Sequence, residues 1–172
     1  MEKVIELLNR MQADGVIENF AIGGGIAAIY YLEPYSTDDI DVFLSSILLD
    51  EIGLVPFGSI YAYLESQGYH SEREYIRIED WLVQFLPASE SVQKEAVAQA
   101  VRVPFGTTST LIFSAEYLAA EFLRSGRWKD NLRLAALLQS GAMDIKIFRD
   151  IIHRHGLMEK WKSFATRHDV EE

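Results

Sequence analysis

Residues 21–44 read AIGGGIAAIYYLEPYSTDDIDVFL, and the order of features in this stretch decides the fold. Phe20, Ala21 and Ile22 form a short apolar run that stops at Gly23-Gly24-Gly25, which predicts a buried strand entering a tight turn. Residues 26–32 are apolar on nearly every side and predict a buried helix ended by Pro34. Residues 39–44, DIDVFL, predict a second strand. Alternate residues on a strand share a face, so Asp39 and Asp41 point the same way. Two adjacent carboxylates repel each other. A hard divalent cation relieves that repulsion, and it favours oxygen ligands completed by substrate phosphates. The glycines allow close backbone approach and present free N–H groups at a helix start, where a phosphate can sit. The two halves together make a phosphate cradle facing a carboxylate pair. Neither GxxxxGK[ST] nor GxGxxG is present, which excludes P-loop and dinucleotide-binding readings.

Working outward, Val4, Leu7, Leu8 and Met11 have helical spacing and predict an amphipathic helix over 2–13, with Gly15 beyond its end. A second amphipathic helix is expected over 56–67. Strands are expected over 69–78 and 81–86, joined by a hairpin at Glu79-Asp80. A surface helix over 89–98 and short strands over 101–105 and 110–113 follow. After Ser114, a good N-cap, four helices are expected over 115–125, 130–139, 144–155 and 158–168, punctuated by Gly126, Gly141 and Gly156. The chain divides by pattern into an α/β domain, 1–113, and a C-terminal helical subdomain, 114–172.

The 172 residues carry 16 Lys and Arg against 26 Asp and Glu, a formal charge of -10. This argues against a surface that grips long duplex DNA through its phosphates. It leaves room for a nucleotide carried with a metal ion, or for a short RNA end. The absence of cysteine removes disulfides, thiolate metal sites and Cys nucleophiles. No apolar run approaches the ~20 residues that span a bilayer, so a cytoplasmic protein without membrane contact is expected.

The stretch resembles the nucleotidyltransferase superfamily: a Gly-Gly turn, a short helix, then a strand carrying Asp-x-Asp. Within it, the pattern is similar to the bacterial branch that includes the AbiEii-type toxins, which read GGxA, a short helix, Arg-x-Thr and DID. Gly24, Gly25 and Ala27 match the first part, and Thr37, Asp39, Ile40 and Asp41 the second. WLVQFLP (81–87), EYLAAEFLRSGRWKD (116–130) and HRHGLMEKW (153–161) resemble later elements of that branch, with Arg127, Lys129 and Asp130 carrying its Arg-x-Lys-Asp. The resemblance implies a mixed sheet flanked by helices with a C-terminal helical bundle. It implies Mg²⁺- or Mn²⁺-dependent transfer of a nucleoside monophosphate from an NTP to an acceptor hydroxyl on a tRNA end, a protein or a small molecule. In toxin-like members an antitoxin-like partner would restrain the activity. Asp39 and Asp41 would hold the metal, and Gly24 and Gly25 the β and γ phosphates. Ser36 or Thr37 would contact phosphate or cap the turn, with capping favoured. Arg127 and Lys129 are further candidates for the triphosphate.

Three positions depart from the family pattern. Gln84 stands where a third carboxylate is expected, with Glu74, Glu79 and Asp80 as replacements under a shifted hairpin register. Tyr35 and Phe122 stand where an Arg and a Lys are common. These departures support a second reading, a catalytically degenerate member that binds a nucleotide or a partner.

The remaining residues invite ordinary readings. Arg124, Arg127, Lys129 and Arg133 are the densest basic cluster, either a solvated face balancing Glu116, Glu121 and Asp130 or a wall of the cleft. Trp81, Trp128 and Trp161 read as packing anchors. Tyr30, Tyr31, Tyr61 and Tyr63 read as core or rim, with one of them a candidate base-stacking ring. His153 and His155 face apart on a helix and are expected to meet solvent or the helix dipole. Lys146 and Asp150 are spaced as a surface ion pair.

Overall fold

The computed structural model describes residues 1–32, 37–45, 57–168 and 170. Pro34, Tyr35 and Ser36 lie outside them. The elements in chain order are α1 (Glu2–Ala13), β1 (Phe20–Ile22), α2 (Gly24–Tyr31), β2 (Asp39–Leu44), α3 (Phe57–Ser66), β3 (Ser71–Glu72), β4 (Tyr75–Ile78), β5 (Trp81–Pro87), α4 (Ser91–Ala98), β6 (Val101–Phe105), β7 (Thr108–Ile112), α5 (Ala115–Ser125), α6 (Trp128–Ser140), α7 (Ile145–Arg154) and α8 (Met158–His168). The seven strands form one mixed sheet in the order β3-β4-β5-β2-β1-β7-β6. Strand β2 lies at its centre, antiparallel to β1 and parallel to β5. Helices flank the sheet, and the fold is the α/β architecture expected from the chain's pattern.

Strands β1 and β2 are buried because their apolar side chains enter the core: Phe20, Ala21 and Ile22 from one, Ile40, Val42, Phe43 and Leu44 from the other. Helix α1 contributes Val4, Ile5, Leu7, Leu8 and Met11 from one stripe. The same core continues into α5 through Leu118, Ala119, Ala120 and Leu123, and on to Phe148 of α7 and Trp161 of α8. Trp161 packs edge-on against Phe148 with ring centroids 5.3 Å apart. Helix α5 starts at Ser114, whose Oγ accepts from the Tyr117 N–H, and ends at Gly126 in the left-handed region (φ 66°).

Four local expectations are corrected or sharpened. The segment expected as one strand over 69–78 is a hairpin, β3 and β4, turned at Arg73 (φ 60°), with Arg77 donating to Glu72 at 2.7 and 2.9 Å across it. The surface helix expected over 89–98 is amphipathic: it exposes Ser91, Lys94 and Ala98 and buries Val92, Gln93, Ala96 and Val97. Asp150 pairs with Arg154 at 2.7 Å rather than with Lys146. His155 does more than meet solvent or the helix dipole. Its Nε2 lies 2.5 Å from Glu95 and its Nδ1 2.9 Å from the Ser91 Oγ, so it ties α7 to α4. Arg154 and the Tyr117 hydroxyl also donate to Glu95, each at 2.8 Å. The Arg154 bonds are the main reason that the Glu95 carboxyl is held down to about 2.

Candidate functional site

Three rungs of the β2–β5 ladder form the floor of a cleft. Asp39 stands beside Leu82, Asp41 beside Gln84 and Phe43 beside Leu86. The alternation of a pleated strand puts all six on one face. The opposite wall is the end of α5 and the start of α6, with Arg124, Ser125, Arg127, Asp130 and Arg133. The cleft has two lobes. An outer lobe of about 660 Å³ lies over Asp39 and Leu82, and an inner lobe of about 570 Å³ lies over Phe43 and Leu86. They meet at Asp41, Gln84, Arg127 and Asp130, which line both.

The glycine turn closes one side. The Gly23 N–H donates to the Asp41 carbonyl at 2.9 Å, which sets the turn level with the middle rung. Gly24 has φ +55°, and a Cβ there would fall 1.8 Å from the Asp41 Oδ2. Only glycine lets this carboxylate rest against the helix start. A Cβ at Gly25 would fall 2.7 Å from the Thr37 Oγ1. Helix α2 begins at Gly24, two residues earlier than its apolar pattern predicts. Its first turn carries no acidic side chain, and the N–H groups there have no partners within the helix.

The two aspartates differ in setting. The Thr37 hydroxyl donates to the Asp39 Oδ1, so Thr37 orients a carboxylate at the cleft edge. Asp41 sits deeper. Burial, and then the neighbouring charge of Asp39, push its carboxyl up to about 6, against an opposing pull from Arg127 and Arg133. The two arginines offset only part of the cost that burial places on ionising Asp41. The cost that remains, together with two oxygen-donor side chains on one face, fits a divalent cation completed by phosphate oxygens. No group of three His, Asp or Glu suited to a metal occurs among the described residues.

Asp130 organises the cationic wall. It is only 1% exposed and accepts from the Ser125 Oγ at 2.5 Å, Arg127 Nε at 2.7 Å and Arg133 Nη1 at 3.3 Å. Spacing of three residues on each side places both arginines on one helix flank. Arg133 also stands 5.8 Å over the Phe122 ring, so a guanidinium covers the position where the sequence pattern lacked a Lys. Lys129 lines the outer lobe with its Nζ 5.9 Å from the Trp128 ring centre. The basic cluster therefore faces the cleft rather than forming only a solvated surface. Arg124 joins it in the inner lobe, bonded to Glu121 at 2.7 and 2.8 Å.

Of the site residues expected from sequence, Gly25, Thr37, Asp39, Asp41, Arg127 and Lys129 line the outer lobe, and Gly24 and Asp41 the inner. Ser36 lies outside the described residues. Gln84 is the direct neighbour of Asp41. Glu74, Glu79 and Asp80 line neither lobe, and Glu79 is engaged by Lys3 at 2.9 Å. The four tyrosines considered for base stacking are elsewhere: the Tyr31 hydroxyl bonds the Phe113 carbonyl at 3.0 Å and the Tyr63 hydroxyl bonds Asp14 at 2.7 Å. Tyr30 and Tyr61 line neither lobe. Trp128 is not a packing anchor. It is 69% exposed and lines the outer lobe, as does Tyr75. Sequence reasoning missed Tyr75 and Trp128 as lining residues, whereas Asp130, named in the Arg-x-Lys-Asp match, and Arg133, named in the basic cluster, take their places on the cleft wall.

No protein-family model and no curated protein matches the chain. Solved structures do. The chain is similar to an antigenic nucleotidyltransferase-like protein from Paracoccidioides brasiliensis at 12% identity and TM-score 0.57, covering 98% of this chain and 92% of that one. It is also similar to ANT(2")-Ia, solved in complex with adenylyl-2"-tobramycin, at 16% identity and TM-score 0.54, covering 92% of this chain and 99% of that one. A solution structure of ANT(2")-Ia described as an antibiotic-resistance factor gives 16% identity and TM-score 0.54, with 99% of each chain covered. At these identities the likeness is one of fold, shared with a nucleotidyltransferase-like protein and with ANT(2")-Ia.

Proposed function

We propose that the protein is a metal-dependent nucleotidyltransferase that moves a nucleoside monophosphate from an NTP to an acceptor hydroxyl. The acceptor oxygen forms a bond to the α-phosphorus, the bond from that phosphorus to the β-bridging oxygen breaks, pyrophosphate leaves and the hydroxyl proton is released. One observation carries the reading. Asp39 and Asp41 share a face of β2, with Asp41 resting against Gly24 on one side and opposed by Arg127 and Arg133 on the other. In this reading residues 1–113 form the α/β domain that supplies carboxylates and glycines, and residues 114–172 the helical subdomain that supplies the cationic wall. Asp39 and Asp41 would hold Mg²⁺ or Mn²⁺, which when bound offsets the charge of the phosphates and of the reacting oxygens. The helix start at Gly24 and Gly25 would receive phosphate oxygens, with Arg127, Lys129 and Arg133 opposite.

The acceptor class is a tRNA end, a protein hydroxyl or a small molecule. The fold shared with ANT(2")-Ia gives the small-molecule arm its support. The GGxA and DID matches support a toxin-like member with an antitoxin-like partner. Calorimetric titration of each NTP in Mg²⁺ tests the site. Micromolar binding is expected for the native protein and its loss in the Asp39→Asn, Asp41→Asn double variant. Equal binding by both would refute the assignment.

A second reading is favoured by Gln84. A neutral amide beside Asp41 can offer an oxygen but cannot carry charge or readily take the acceptor's proton. The protein would then bind a nucleotide, or a partner through the nucleotide-bound state, without transferring it. Binding without label transfer to any acceptor class distinguishes this reading.

A further inference from the structure

We infer that Trp128 is the stacking platform for the nucleobase, an assignment that rests on the nucleotide-binding reading above. An indole buried in a core contributes strongly to stability. One that is 69% exposed contributes little, so packing does not account for it. Exposed apolar side chains are common and individually uninformative. Trp128 differs in its place. Tyr30, Val101, Leu132, Ile145 and Ile147 are also exposed among the described residues, and none of them lines either lobe of the cleft.

Its chain neighbours specify the ligand chemistry. Trp128 is the first residue of α6 and stands between Arg127 and Lys129, both of which line the same lobe. A flat ring in a lobe lined by two cations suits a ligand that joins a flat ring to anionic groups. A nucleotide has that combination, whereas an uncharged acceptor does not. The Lys129 Nζ lies over one face of the indole, 5.9 Å from the ring centre, so the base would stack on the opposite face with the ammonium near its phosphates. Tyr75 and Leu82 supply apolar surface in the same lobe. The lobe's volume of about 660 Å³ suits one nucleotide.

Stacking is tolerant of base identity because every base has a π face. Trp128 therefore provides affinity common to the four NTPs, and Trp128→Ala should weaken all of them alike. The test is calorimetry with ATP, GTP, CTP and UTP in Mg²⁺, and with inorganic tripolyphosphate as a ligand without a base. The expected result is a loss of about tenfold or more for every NTP, unchanged tripolyphosphate binding, and recovery in Trp128→Phe. A ligand-free melting temperature equal to the native one confirms that the variant is folded. An unchanged NTP affinity overturns the inference alone, as does an equal loss of tripolyphosphate. Weaker use of an acceptor at unchanged NTP affinity also overturns it. Failure of the native protein to bind any NTP overturns the functional reading and this inference with it.

Discussion

In metal-free buffer, Asp41→Asn is expected to make the protein more stable, although it removes a residue central to the site. The Asp41 carboxyl is raised from 3.8 to about 6 by burial and by Asp39, net of attraction to Arg127 and Arg133. At about 1.4 kcal/mol per unit, ionising Asp41 in the folded state costs on the order of 3 kcal/mol more than ionising it in the unfolded chain. The sign follows from linkage. Between 3.8 and 6 the folded state binds the proton and the unfolded state does not, so stability falls as pH rises through this window. Above the window the full cost persists. Asparagine carries no charge at any pH, so the variant's advantage should be about 2–3 kcal/mol at pH 8 and fade towards pH 4. For a chain of this size that corresponds to a melting shift of roughly 5–10 °C. Urea or thermal denaturation of both proteins across pH 4–8 in chelator measures it. Asp39→Asn should show a smaller gain by removing the like charge. A variant less stable than the native protein at pH 8, or a difference independent of pH, would refute the electrostatic account of the site.

Three further outcomes follow from named contacts. Gly24→Ala should abolish Mg²⁺-dependent NTP binding and lower stability by about 1–2 kcal/mol, because its Cβ would overlap the Asp41 Oδ2 and its φ is left-handed; calorimetry and denaturation read the two effects separately. Asp130→Ala should cost about 1–3 kcal/mol, chiefly by stripping the largely buried Arg133 of its partner, since Arg127 is exposed. The same variant should weaken NTP binding through misplaced guanidiniums, and unchanged urea midpoints would contradict this. Glu95→Gln should destabilise by roughly 2 kcal/mol at pH 7, since Arg154, Tyr117 and His155 all bind the carboxylate. The Glu95 contribution is complete above pH 4.5 and is lost as pH falls towards about 2, so native and variant curves should converge in acid.

Much of the fold was legible because its pieces are periodic. Apolar alternation and helical stripes gave β1, β2, α1, α5 and α8 close to their observed bounds. The Asp-x-Asp spacing gave a shared face without any tertiary information. Other features depend on contacts distant in sequence. The β3–β4 turn occurs at Arg73, a residue type that carries no turn signal, and is stapled by the Arg77–Glu72 pair. The early start of α2 brings Gly24 and Gly25 against Asp41 and Thr37, where no larger residue would fit. The cationic wall depends on Asp130, whose burial only the packing of α6 against α5 and α2 reveals. Trp128 was misread because composition favours burying tryptophan, whereas its exposure follows from its position at the cleft mouth.

Transfer of label from α-³²P NTPs in Mg²⁺ to tRNA, protein and aminoglycoside acceptors tests the central claim most directly. The account predicts a labelled product with at least one acceptor and none from the Asp39→Asn, Asp41→Asn double variant. Nucleotide that binds the native protein and is recovered intact with every acceptor class would contradict transfer and leave Gln84 as the reason.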